Sequence, residues 1–214
     1  MSPTLRGTGR QYWVAVRAMV VLTVALGVVY PLVLTGVGQL TMPWQANGSL
    51  VRVGAETVGS NLIGQSFTDA KGRALPQWFQ SRPSAALTSA GAGYDGNASS
   101  ASNLGPNNPE LTNEIEQRRA SIEKLDGADA TSIPPDALTA SASGLDPHIS
   151  PAYALLQVPA VAKARGIPES EVEALVKSRI QGRDLGYLGQ PTVNVLQLNL
   201  ALSKMDPAGD KAFR

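Results

Sequence analysis

The sequence predicts an α+β protein with a single N-terminal transmembrane helix followed by one soluble extracytoplasmic domain. Three observations carry this expectation. Ala18 to Val37 is a run of twenty uncharged, mostly apolar residues. The basic residues beside that run are one-sided. Beyond it, short β-branched segments precede stretches with helical periodicity, the order of an α+β domain.

At about 1.5 Å per residue, twenty helical residues reach across a hydrocarbon core of about 30 Å. Trp13 and Trp44 bracket the run, with Tyr12 beside the first, at the level where aromatic rings favour the headgroups. Arg6, Arg10 and Arg17 precede it without any Asp or Glu, and the next basic residue is Arg52. Positive charge stays inside, so the N-terminus is expected in the cytoplasm. The division is therefore 1–17 cytoplasmic, 18–40 transmembrane and 41–214 soluble. A cleaved signal peptide shares the basic start, but its apolar stretch spans only about 7–15 residues, which favours an uncut anchor.

Three of the 18 basic residues precede the run and none of the 17 acidic ones do. The remainder thus carries about minus two, which argues against a nucleic-acid partner. Without any Cys, the core forgoes disulfides and thiol chemistry is excluded. The run itself holds no ionisable side chain except Tyr30, so it offers no ion relay. Pro31 removes the N–H that would bond the Gly27 carbonyl, which predicts a bend. Gly27, Gly36 and Gly38 are candidate points of close approach to a partner helix.

Leu50 to Val53 and Thr57 to Gly64 read as short strands, and Trp78-Phe79 as the end of another. Ser84 to Asn108, rich in Gly, Ser, Ala and Asn, reads as a long loop. Asn108-Pro109 opens a helix that Gly127 ends, with Leu111, Ile115, Ile122 and Leu125 on one side and a Glu114/Arg118 pair on the other. Ser150-Pro151 starts a second helix, which Pro159 is expected to interrupt before Gly166 closes it. Pro168 opens a third, burying Val172, Leu175, Val176 and Ile180. Thr192 to Leu196 reads as a strand, and Leu198 to Leu202 as strand or helix.

Chemical motifs are few. Gly91 to Gly96 fits G-x-G-x-x-G, but no strand leads into it and no helix follows. Ser121 to Lys124 fits S-x-x-K without the K-T-G partner of penicillin-recognising enzymes. His148 is the only histidine, which leaves zinc without a ligand set. A membrane-anchored extracytoplasmic hydrolase would have to use His148 with Asp146, yet no G-x-S-x-G elbow supplies its serine. The simpler reading is a turn in which Asp146 caps backbone amides and Pro147 fixes φ.

Several segments occur together in one order: Tyr30-Pro31-Leu32, Trp44 to Leu50, Gly59 to Gln65, Phe79 to Ser84, Thr139 to Asp146, Gln157 to Pro159, Val161 to Arg165 and Gly189 to Val195. In this the chain resembles the family of C subunits of the Kdp potassium-transporting ATPase, over nearly its whole length. It departs from the family pattern at Ala101, where Gly is expected, and at Ala160, where Arg usually follows the proline.

The resemblance implies a non-catalytic subunit of a bacterial inner-membrane complex that imports potassium at the expense of ATP. Its partners would be a channel-like A subunit that binds the ion and a P-type B subunit that hydrolyses ATP. ATP and potassium are then used by those partners, and this chain needs no cofactor, metal or catalytic residue of its own. One family proposal makes the subunit a catalytic chaperone that raises ATP affinity through a glutamine, for which Gln157 is the candidate. The alternative is a cap on the ion-conducting subunit. Its partner-binding candidates are Gly27, Pro31 and Gly36 in the span and Arg82, Ser100, Asn103, Asp146 and His148 in the domain.

Overall fold

A computed structural model describes residues 5–213 except residues 70 and 89–92, and gives no side-chain detail for residues 5–8 and 211–213. The chain divides into two compact units, Met1–Leu50 and Val51–Arg214.

The first unit is a helix that starts at Leu5, well before the apolar run. It comprises α1 (Leu5–Val24), a π-helical turn (Ala25–Val29) and α2 (Tyr30–Thr41). Gly9–Thr41 is long and apolar enough to cross a membrane, and none of it is buried. The disturbance expected at Pro31 takes the form of the π-turn. There the Tyr30 N–H donates to the Ala25 carbonyl, five residues back, so the ladder widens just ahead of the residue that cannot join it. The helix stops at Met42, and one short turn, α3 (Pro43–Ala46), follows. Gln39 and Asn47 exchange side-chain amide hydrogen bonds of 3.3 and 3.0 Å across that stop.

The second unit is mixed helix and sheet, with less sheet than expected. Strands β1 (Leu50–Val53) and β2 (Glu56–Ser60) form a hairpin. From residue 61 to residue 108 the described backbone forms only isolated bridges and turns. The expected loop is therefore present and begins earlier than Ser84. Helix α4 (Pro109–Asp126) has Asn108 as its cap, accepting the Glu110 N–H at 2.8 Å, and ends at Gly127. Arg118 and Glu114 pair at 2.7 Å. A 3-10 turn (Ala130–Ser132) and the short α5 (Pro135–Leu138) lead to β3 (His148–Ile149).

Helix α6 (Pro151–Arg165) runs unbroken through Pro159, contrary to the expected interruption. Pro159 lies on the exposed side, where water can meet the carbonyl it leaves unbonded. Val158, Val161 and Ala162 pack on the buried side. Helix α7 (Glu169–Ser178) follows, with Val172 and Val176 fully buried. The strand expected over Thr192 to Leu196 shrinks to β4 (Val193–Asn194), antiparallel to β3 with His148 opposite Asn194. Leu198 to Leu202 is helix, within α8 (Val195–Met205). Asn194 decides this switch, since its side chain accepts the Gln197 N–H at 3.0 Å as an N-cap. A 3-10 segment (Pro207–Phe213) closes the described chain.

The core joins α4, α6, α7 and α8 with Phe67, Trp78 and Phe79 from the irregular segment. Each fully buried Leu or Ile, such as Leu198, Leu202 and Ile149, contributes about 1.5–3 kcal/mol. Trp78-Phe79 does not end a strand. Two helices supply amides instead. Asn199 of α8 accepts the Phe79 N–H and donates to the Phe79 carbonyl, both at 2.9 Å. Gln157 of α6 accepts the Gln80 N–H at 2.6 Å and donates to the Gln80 carbonyl at 3.3 Å. Side chains thus satisfy the buried backbone that a neighbouring strand would otherwise satisfy.

Candidate partner-binding site

The double clamp on Phe79 and Gln80 fixes where the next residues go. Ser81 donates its hydroxyl to the Gln65 carbonyl at 2.7 Å, and Arg82 then crosses to the Asp146 turn. Its guanidinium donates to Asp146 Oδ2 at 3.0 Å and to the Thr139 carbonyl at 3.2 Å. The other carboxylate oxygen, Asp146 Oδ1, accepts the His148 N–H at 3.0 Å and lies 3.5 Å from His148 Nδ1. The capped turn expected around Pro147 is therefore present. Partial burial alone would raise the Asp146 pKa, but hydrogen bonds from the side chain and backbone of His148, with those from Arg82, hold it below the usual carboxylate range.

Tyr94 braces this pair from behind. Its hydroxyl donates to the Arg82 carbonyl at 2.8 Å, and burial pushes its pKa up to about 12. Its ring leaves no room for a side chain at Gly64, where a Cβ would sit 2.3 Å from the ring. Ser84 ties the segments together, donating to the Gly144 carbonyl at 2.6 Å and accepting the Tyr94 N–H at 2.9 Å. Gly144 needs to be glycine twice over: its φ is +67°, and a Cβ would approach the Ser100 carbonyl to 2.6 Å.

Of the residues expected to contact partners, the fold brings Arg82, Asp146 and His148 together. Arg82 and Asp146 line two shallow depressions, of about 570 and 420 Å³, and His148 lines the second. Ser100 is exposed nearby, its N–H on the Ser143 carbonyl at 3.0 Å. Asn103 is exposed with a left-handed φ of +55°, its amide on the Ala101 carbonyl. Gly27, Pro31 and Gly36 lie in the other unit, exposed along the helix.

Gln157 is elsewhere. It is 1 % exposed, inside the core, with its amide on the backbone of Gln80 and Tyr153. The Ser150 hydroxyl donates to Asp136 and accepts the Tyr153 N–H, so it caps α6. Ser121 donates to the Gln117 carbonyl on the exposed side of α4. Gly91 lies outside the described residues, Gly93 is a bend, and the only turn among the motif's described residues starts at Gly96. Among the described residues no three His, Asp or Glu side chains group as metal ligands.

Tyr94, Ser84, Gly64 and Asn199 were not singled out from the sequence. Asn199 carries a signal after the fact, because an amide in the apolar run Val195 to Leu202 must be bonded if buried. Arg165 is comparable. Its side chain is fully buried, pairs with Asp206 and Asp210 at 3.4 and 3.1 Å, and stacks 4.3 Å from the centre of the Trp78 ring.

The family described as "KdpC: K+-transporting ATPase, c chain" matches residues 12–204. The chain belongs to that family. A protein of Kineococcus radiotolerans named "Potassium-transporting ATPase KdpC subunit" is 50 % identical over 207 residues, 97 % of this chain and all of that one. Proteins of the same name from Caulobacter vibrioides and Caldanaerobacter subterraneus are 50 % and 46 % identical. They cover 90 % and 87 % of this chain, and 92 % and 91 % of their own lengths. The match takes in both units, so the KdpC resemblance extends from the apolar helix to α8.

Proposed function

We propose that the chain is a non-catalytic subunit of an ATP-driven potassium import complex, needed for assembly and stability of the pump. Its helix anchors and docks in the bacterial inner membrane, with Gly27, Pro31 and Gly36 toward partner helices and the N-terminus cytoplasmic. Its folded unit lies outside the cytoplasm and caps the ion-conducting A subunit. The P-type B subunit hydrolyses ATP, and this chain holds neither nucleotide nor potassium.

The observation that carries this reading is the Arg82–Asp146 pair. It is locked from behind by Tyr94 and Ser84 and offered between two depressions. Burying an unsatisfied charge in an interface is costly, whereas a pre-paired, pre-oriented one offers directional polar contacts without that penalty. The competing reading, direct ATP contact through Gln157, finds no support in an amide that is buried and committed to backbone. A hydrolase using His148 lacks a free serine at Ser150.

The test is co-purification of the A and B subunits with the tagged full chain in mild detergent. Ser100→Arg and Leu62→Glu, both at exposed positions and the second on the lining of the first depression, should lower the partner yield at least tenfold while leaving thermal unfolding unchanged. Wild-type yields from both variants would sink the assignment of this face.

A further inference from the structure

Between α7 and β4 the chain forms a hairpin whose tip is the sequence Leu185-Gly-Tyr-Leu188. Leu185, Tyr187 and Leu188 are 81, 69 and 48 % exposed. This is not a loose loop. Its base is closed by Gln181 and Thr192, which exchange N–H···O bonds of 2.8 and 3.0 Å. Its tip is closed by Asp184 and Leu188, which exchange bonds of 3.0 and 2.9 Å. Leu185 is held at a φ of +53°, a left-handed conformation unfavourable for a side chain of its kind. A bonded turn that spends strain to hold three large apolar groups in water calls for a function.

We infer that this hairpin is a docking anchor, with Leu185, Tyr187 and Leu188 seated in an apolar cleft on another protein chain of the potassium-transporting assembly. The inference rests on the reading of the Arg82–Asp146–His148 face as a partner surface, and extends it. Gln190, Pro191 and Thr192, the returning limb, line the same depression as Arg82, Asp146 and His148. Thr192 runs directly into β4, which pairs with β3 at His148. The anchor and the polar face are thus one continuous surface.

A protein cleft fits better than the bilayer. Arg183 and Asp184 directly precede Leu185 and are both exposed. Together they carry no net charge to attract anionic headgroups, and a carboxylate one residue from the tip opposes insertion. Paired charges at the foot of an apolar tip suit the polar rim around a protein interface core. The closed backbone leaves little to order on binding, and Tyr is enriched among residues that dominate such interfaces.

The test places a photo-cross-linker in the full chain, co-expressed with the A and B subunits and irradiated in membranes. Tyr187→p-benzoylphenylalanine is expected to cross-link to a protein subunit, as is His148→p-benzoylphenylalanine. The double variant Leu185→Ser, Leu188→Ser, at exposed positions, should retain at least tenfold less partner with unchanged thermal unfolding. A cross-link from position 187 to lipid alone, or to nothing, with position 148 still reaching a subunit, would overturn the anchor and leave the polar face standing. Failure at 148 with success at 187 would do the reverse. Undiminished partner yield from the double variant would also overturn the anchor.

Discussion

Gln157 and Asn199 replace a β-ladder with two amide side chains, and what they hold is the segment that delivers Arg82. Removing one leaves buried backbone groups without partners, at about 1–3 kcal/mol. Gln157→Ala should therefore lower the melting temperature of the purified chain by several °C and leave the assembled pump's KM for ATP unchanged. An unchanged melt with a large rise in that KM would point back to nucleotide contact. Asp126 offers a pH test. Desolvation at the end of α4 raises its pKa to about 7, above the usual value near 4 in an unfolded chain. The folded state then prefers the protonated acid, so stability from this group is fully present below about pH 4 and falls away as pH rises toward 7. Asp126→Asn should flatten that fall and raise the melting temperature at pH 8 relative to wild type, measured by thermal unfolding across pH 5–8.

Among individual residues the sequence was most legible where chemistry is local. The Asp146 cap on His148 and the Asn108 cap each need only neighbours in the chain. Tyr94 and Ser84 escaped because they act on segments about 50 to 60 residues away, a distance no local pattern encodes.

Elements followed the same rule. Helix α4 carried its own caps and apolar face, α7 an opening proline and an apolar face, and both appear where expected. Helix α6 did not break at Pro159, because packing on its buried side outweighs one lost hydrogen bond on its exposed side. Thr192 to Leu196 has β-branched residues at Thr192, Val193 and Val195, yet the Asn194 cap turns it into α8 after two strand residues. In the long apolar helix, Pro31 announced a disturbance but not its form. A π-turn depends on the ladder of Ala25 to Tyr30, and such turns often mark functional positions. Pro31→Ala restores the missing donor and should regularise the helix. The account expects weaker partner retention in mild detergent from this variant, with the second unit's thermal unfolding unchanged. Retention equal to wild type would remove the helix disturbance from the docking account.

At the scale of the molecule, one apolar helix and one mixed unit were readable from hydropathy and periodicity, while the extent of irregular backbone between residues 61 and 108 was not. That stretch folds because aromatic residues at 67, 78 and 79 enter the core and amides from α6 and α8 hold its backbone, interactions set by tertiary structure alone. The functional account depends above all on which side of the membrane this unit occupies, since a unit outside the cytoplasm meets the ion entrance and never meets cytoplasmic ATP. The chain has no cysteine, so one can be introduced without background. Glu116→Cys lies on an exposed turn of α4, and intact cells with a permeabilised outer membrane can be treated with a membrane-impermeant thiol reagent. The account predicts full labelling before lysis; labelling only after the inner membrane is broken would contradict it.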